Sequence, residues 1–184
     1  MRIRHLILDR DGVLNQEAPR GGYILQPQEF QWLPDALEAL ALLRRAGVRL
    51  SVATNQSAVG RGLMTAADLD AIHARMRREA TAAGATLAAV FACPHAPDAG
   101  CGCRKPAPGL ILQAITASGI DPAHTLLAGD DLRDLQAAQA AGIRAALVRT
   151  GKGAQTERGA ATSAMDVAVY DDLLQLAHAL VGAP

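Results

Sequence analysis

Five short stretches of this chain bring together residue types that can do chemistry. The first is Leu6-Ile7-Leu8-Asp9-Arg10-Asp11-Gly12, an apolar run that ends in two carboxylates one residue apart. Side chains two apart in extended chain project to the same side, so Asp9 and Asp11 address one site. Adjacent carboxylates repel unless a cation lies between them, and hard oxygen ligands suit Mg2+. The second stretch, Thr54-Asn55-Gln56-Ser57, offers a hydroxyl at Thr54 and nearby backbone N–H groups to a phosphoryl oxygen. The third is Arg104-Lys105-Pro106. Of the 18 basic residues only Lys105 and Lys152 are lysines, and Lys105 would set a point charge against a transferring phosphoryl group. In the fourth, Gly129-Asp130-Asp131, Asp130 would complete a carboxylate cage around the cation, and whether Asp131 or Asp134 assists is left open. Taken singly, these are a solvated turn, a strand cap and a helix N-cap. Three polar clusters at equivalent strand ends outweigh those plainer readings.

The fifth stretch is Cys93-Pro94-His95-Ala96-Pro97-Asp98-Ala99-Gly100-Cys101-Gly102-Cys103. It holds all three cysteines of the chain, an odd number that suits a metal better than disulfides. Three thiolates and an imidazole in a short Gly/Pro loop are the ligand set of a closed, tetrahedral zinc site. Buried thiols beside a surface histidine are the plainer alternative, but a loop of this composition offers no core to pack them into. Four protein ligands, Cys93, His95, Cys101 and Cys103, leave no open position for catalysis. The metal would instead shape the loop and so position Arg104 and Lys105.

The elements that must hold these stretches follow from periodicity. Strands are expected at Leu6–Leu8, Val48–Ala53, Leu87–Ala92, Thr125–Ala128, Ile143–Val148 and near Val167. Helical stripes alternate with them at 34–46, 65–83, 109–118, 132–141 and 171–181, several ended by glycine. Long loops are expected at 10–31 and 150–163. Alternating strands and helices predict an α/β fold, a doubly wound, mainly parallel sheet in one domain over 1–184. Such a sheet brings its strand ends to one edge, where ligands bind. Tyr23, after Gly22 in the first loop, is placed to wall that pocket. Phe30, Trp32 and the remaining histidines, His73 among them, read as packing or surface residues. Formal charge is zero and the pI near 7.0, which argues against nucleic acid or an anionic membrane as partner. No stretch approaches a membrane span, so a cytoplasmic monomer is expected.

Asp9-Arg10-Asp11-Gly12-Val13-Leu14 resembles the first motif of haloacid dehalogenase superfamily phosphatases, hhhhDxDG(T/V). Thr54, Lys105 and Asp130 stand in the order of that family's later motifs, and the resemblance spans nearly the whole chain. It implies a Rossmann-like haloacid dehalogenase fold with Asp9 as nucleophile, Asp11 as general acid/base, and Mg2+ held by Asp9, Asp11 and Asp130. No segment is long enough for a large cap domain, which implies a capless enzyme. The zinc loop, Thr54–Ser57, Arg61-Gly62, Cys103–Pro106 and Val148–Lys152 are together similar to capless members that take the C7 phosphate from D-glycero-D-manno-heptose 1,7-bisphosphate, a step toward ADP-heptose and lipopolysaccharide core. The zinc loop is shorter than theirs between His95 and Cys101, and Asp131 replaces their lysine. The implied substrate contacts are Asn55, Gln56, Ser57, Arg104, Gly22 and Tyr23. Histidinol-phosphate phosphatases share the fold and loop and supply the alternative substrate. A phospho-accepting receiver and a zinc-stabilised binding module are the alternatives from other classes.

Overall fold

The computed structural model describes residues 2–159, 162 and 165–182. Six strands form one parallel sheet in the order β3-β2-β1-β4-β5-β6. They are β1 (His5–Leu8), β2 (Arg49–Asn55), β3 (Leu87–Cys93), β4 (Thr125–Gly129), β5 (Arg144–Val148) and β6 (Ala168–Tyr170). Successive side chains of a strand face opposite ways, and each strand accordingly feeds two cores. Leu6, Leu8, Leu50, Val52, Leu126 and Ala128 pack on α1 (Ala36–Arg45), α2 (Ala66–Ala82) and the C-terminal helix Leu173–Gly182. Ile7, Ala53 and Leu127 pack on α3 (Gly109–Ser118) and α4 (Leu132–Ala140). Both faces of the sheet are therefore covered, which is what near-continuous apolar strands require. No domain-sized insertion separates the strands among the described residues.

The chain builds outward from β1 in two directions, to β2 and β3 on one side and to β4, β5 and β6 on the other. Between β1 and β4 lies the switch point of the sheet, where strand ends diverge and leave a crevice. Asp9 continues the pairing past β1, its N–H donating to Ala128 O at 3.0 Å. The chain then turns on the Arg10 carbonyl, which accepts from the N–H groups of Val13, Leu14 and Asn15.

Several sequence expectations are refined. β2 continues beyond Ala53, with Thr54 and Asn55 paired to Ala92 and Cys93 of β3. Cys93 is the last residue of β3 and fully buried near Ile7, Ala53 and Leu110; the cysteine loop thus has a core to grow from, contrary to expectation. The loop expected at 150–163 contains a short helix, α5 (Gly153–Glu157); residues 160, 161 and 163 lie outside the described ones. The loop at 10–31 is braced by 3-10 turns at Pro19–Gly21 and Pro27–Glu29. Near its end Phe30 is buried, and the Trp32 ring meets it edge-on with centroids 5.1 Å apart. The C-terminal helix Leu173–Gly182 is α6 in chain order.

Candidate active site

The three polar strand-end clusters and the Arg104-Lys105 stretch converge on one cleft of about 260 Å3, lined by Asp9, Asp11, Thr54, Lys105, Asp130 and Asp134, among others. Lys105 lies at its floor, 2% exposed. Its Nζ is 2.8 Å from Asp9 Oδ1 and 2.5 Å from Asp134 Oδ1, and donates to Ala53 O at 2.8 Å. Burial works against its charge, but Asp134 and Asp9 outweigh that and hold Lys105 above the usual lysine range. Asn55 fixes the main chain that carries it: Asn55 Nδ2 donates to Lys105 O at 3.0 Å, and Lys105 N–H donates to Asn55 Oδ1 at 3.1 Å.

Asp9, Asp130 and Asp134 present carboxylate oxygens within 4.8 Å of one another. Burial first, and then the charges of Asp134 and Asp11, push Asp9 up to about 6 against the pull of Lys105. Asp130 is pushed up to about 8 by burial and by Asp9 and Asp134. Three carboxylates facing one ammonium leave negative charge in excess, and a divalent cation with a preference for oxygen would balance it. The protein builds around this group at the expense of side chains. Gly12 and Gly151 both adopt positive φ, and a Cβ on either would stand 2.2 Å from Asp130 Oδ2. Lys152 N–H donates to the same oxygen at 2.8 Å.

The structure does not bring the Asp11 carboxylate into that group. It accepts from Arg10 Nη2 at 2.9 Å on each oxygen, from Asn15 Nδ2 at 3.0 Å and from Gln56 Nε2 at 2.8 Å. These partners overcome burial and hold Asp11 below its usual pKa. The Asp11 carboxylate, expected beside the cation, is committed to these donors, whereas the Asp134 carboxylate stands with Asp9 and Asp130. Asp131 is turned away as well. It caps α4 and accepts from Arg133, at 2.9 and 2.7 Å.

Of the residues expected to touch substrate, Gly22, Tyr23, Asn55, Gln56, Ser57 and Arg104 all line the cleft. Asn55 and Gln56 spend their amides inside the protein, Gln56 bridging Asp11 and Thr54 Oγ1, the latter at 2.8 Å. Tyr23 Oη lies 3.4 Å from Ser57 Oγ. Sequence reasoning did not find Arg10 or the bridging role of Gln56, because neither has a signal apart from its partners in space. Asp134 reads locally as the third residue of a capping box, and in fact it serves as one, accepting from Asp131 N–H at 3.1 Å.

The four ligand atoms of Cys93, His95, Cys101 and Cys103 also lie within 4.8 Å of one another. Sulfur–sulfur separations of 3.2 to 3.6 Å are far beyond a disulfide bond and suit the edges of a tetrahedron around an ion with Zn–S bonds near ~2.3 Å. Burial and the neighbouring sulfurs push Cys103 up, while hydrogen bonds from Cys103 and Cys93 outweigh burial and pull Cys101 down; three thiolates at these separations repel one another unless a cation lies among them. The donor set fits zinc. Gly60 N–H donates to Pro94 O at 2.7 Å, tying the loop after β2 to this cluster.

Comparison with known proteins gives a consistent picture. A model of the HAD-hydrolase-like family matches residues 102–176. The chain is 45% identical over 151 residues, 82% of its length and 83% of the other's, to the D-glycero-beta-D-manno-heptose-1,7-bisphosphate 7-phosphatase of Bordetella bronchiseptica. The enzyme of that name from Pseudomonas aeruginosa is 40% identical over 176 residues, 96% of this chain and 97% of the relative. A crystal structure of the B. bronchiseptica D,D-heptose 1,7-bisphosphate phosphatase with magnesium and phosphate superposes with a TM-score of 0.91 at 41% identity, covering 98% of this chain and 99% of that one.

Proposed function

The chain belongs to the haloacid dehalogenase-like hydrolases, among the heptose-1,7-bisphosphate 7-phosphatases, and from that premise we propose how its own residues work. It is a phosphoric monoester hydrolase that removes the C7 phosphate of D-glycero-D-manno-heptose 1,7-bisphosphate, with the β anomer as substrate. Asp9 is the nucleophile. Its carboxylate oxygen attacks phosphorus as the sugar oxygen leaves, giving an aspartyl phosphate and a free C7 hydroxyl. Asp11, ionised in the free protein, takes up a proton with substrate bound, gives it to the departing oxygen and then takes one from the water that hydrolyses the acyl phosphate. Thr54 Oγ1 and Lys105 Nζ offset charge on the phosphoryl oxygens. Asp9, Asp130 and Asp134 are the carboxylates that would hold Mg2+, which supplies further charge neutralisation when bound. Cys93, His95, Cys101 and Cys103 would hold zinc in a structural role, which accords with a reducing, cytoplasmic setting.

One observation carries the choice of a bisphosphate. Four cations of the cleft already have carboxylate partners: Arg10 with Asp11, Lys105 with Asp9 and Asp134, Arg133 with Asp131, and Lys152 with Glu17 at 2.7 Å. Arg104 has no ion pair among the described residues, and its Nη1 is buried without a hydrogen-bond partner. A buried guanidinium nitrogen left unpaired is costly, and a second phosphate on the substrate would fill it. Histidinol phosphate brings an ammonium group to the same place and would be repelled. Arg104→Ala is expected to lose kcat/KM on the bisphosphate by about 1.5–3 kcal/mol, the scale of a charged hydrogen bond, with little loss on a monophosphate. Equal losses on both, or a higher kcat/KM for histidinol phosphate than for the bisphosphate, would overturn the assignment.

A further inference from the structure

We infer that His73 is a positioning residue for Asp11, acting through the buried guanidinium of Arg10. The inference rests on the reading of Asp11 as the group that protonates the leaving oxygen.

His73 lies on α2, 7% exposed, on the stripe that buries Leu69, Ile72, Met76 and Ala80. An apolar side chain there would avoid the cost of desolvating an imidazole, so a partner must justify it. That partner is Arg10, only 1% exposed, whose Nη1 lies 3.3 Å from His73 Nε2. A guanidinium has no acceptor, so the imidazole nitrogen accepts and the ring proton resides on Nδ1. Burial and the Arg10 charge hold His73 down to about 3, which keeps the ring neutral and able to accept.

The other arm of Arg10 reaches Asp11 through a single nitrogen, Nη2, which donates to both carboxylate oxygens at 2.9 Å. One nitrogen between two oxygens is a pivot, whereas two parallel N–H bonds from different nitrogens would clamp the plane. Holding the opposite arm of the guanidinium steadies that pivot, and His73 holds it. Asn15 and Gln56 then complete the orientation of the carboxylate from their own sides. Sixty-three residues separate Arg10 from His73 in the chain, so nothing local marks the pair.

The consequence is specific to proton transfer. A loosened Asp11 should slow departure of a sugar alkoxide, which needs a proton, and spare p-nitrophenolate, which leaves without one. The experiment measures kcat and KM for His73→Leu, His73→Gln and Asp11→Asn on the heptose bisphosphate and on p-nitrophenyl phosphate, with Mg2+ present. His73→Leu removes the acceptor at similar volume; His73→Gln retains an amide oxygen. The expected result is a loss of kcat for His73→Leu about tenfold greater on the sugar than on the aryl substrate, within the ~100-fold that a misplaced catalytic group costs, with KM little changed and most of the loss restored in His73→Gln. Activity on p-nitrophenyl phosphate itself reports that the variant is folded. Should His73→Leu fail to fold, Arg10→Lys supplies the comparison, since it keeps a cation beside Asp11 but has no second arm, and the same selective loss is expected. Equal losses on the two substrates overturn the inference. A selective loss in Asp11→Asn without one in the His73 and Arg10 variants overturns it alone and leaves the role of Asp11 standing. No selectivity in Asp11→Asn removes both.

Discussion

Asparagine at position 9 would keep the shape of the carboxylate and lose its nucleophilicity. Asp9→Asn is therefore expected to abolish turnover on every phosphate ester while the protein stays folded, checked by rapid-quench trapping of acid-stable phosphoprotein. A phosphoenzyme burst from that variant would mean that another residue attacks. Asn55 makes a different demand. It touches the main chain of Lys105 at 3.0 and 3.1 Å, so it acts wherever Lys105 acts. Asn55→Ala should lower kcat/KM by about 2 kcal/mol, two neutral hydrogen bonds' worth, and by the same factor on sugar and aryl phosphates. A loss confined to the sugar substrate would instead return Asn55 to direct contact with the sugar. At this scale the sequence speaks through residue type and short spacing. Asp9, Thr54 and Asp130 announce themselves because each follows an apolar run, and Lys105 because it is one of only two lysines and stands directly after the cysteine loop. Asp134, Gln56 and Arg10 do not, because their partners are assembled only by the fold, and Asp134 is further hidden by its capping role.

Elements explain why so much of the site could be read at all. An apolar run that stops at polar residues is a buried parallel strand meeting the sheet edge, and β1, β2 and β4 all end so. What the run does not encode is its last residue: β2 continues through Thr54 and Asn55 because β3 lies alongside to pair them. The cysteine segment shows the same limit, since Cys93 belongs to the strand core and only the other ligands to the loop. This arrangement anchors the proposed zinc site at one end in the sheet and at the other directly before Arg104 and Lys105. Removing the metal should therefore disturb both stability and chemistry. Purified protein is expected to hold one zinc per chain by elemental analysis. Stripping it with a strong chelator, or Cys101→Ser, should lower Tm and reduce kcat together, because structural zinc carries folding free energy. Protein without zinc whose three thiols titrate freely in the native state would refute the site.

Across the whole molecule, two cores share one sheet, and each contains a buried histidine. His73 lies on the α1–α2 side. His5, whose Nε2 is 3.0 Å from Ser51 Oγ, faces the opposite way, with Ile7. Burial, aided by Arg49, lowers His5 to about 4, and burial with Arg10 lowers His73 to about 3. Both are bases whose folded pKa lies below the unfolded value near 6.5, so between those limits the unfolded chain binds more protons. Stability from these sites is complete above pH 6.5 and is lost as pH falls toward 4 and 3, by up to about 1.4 kcal/mol per pH unit for each. Asp9 and Asp130, raised to about 6 and 8, work in the opposite sense, since the folded protein takes up their protons first on acidification. Wild type alone would mix the two trends. Comparison with His5→Gln isolates one, because glutamine can keep the hydrogen bond to Ser51 but cannot titrate, and the carboxylate contributions cancel. Urea unfolding from pH 7.0 to 4.5 is expected to show a smaller loss of stability in His5→Gln than in wild type, with the two curves converging toward pH 7. Parallel curves would mean that His5 carries its proton equally in both states, and that its core is wetter than the packing around Ile7 and Leu127 implies.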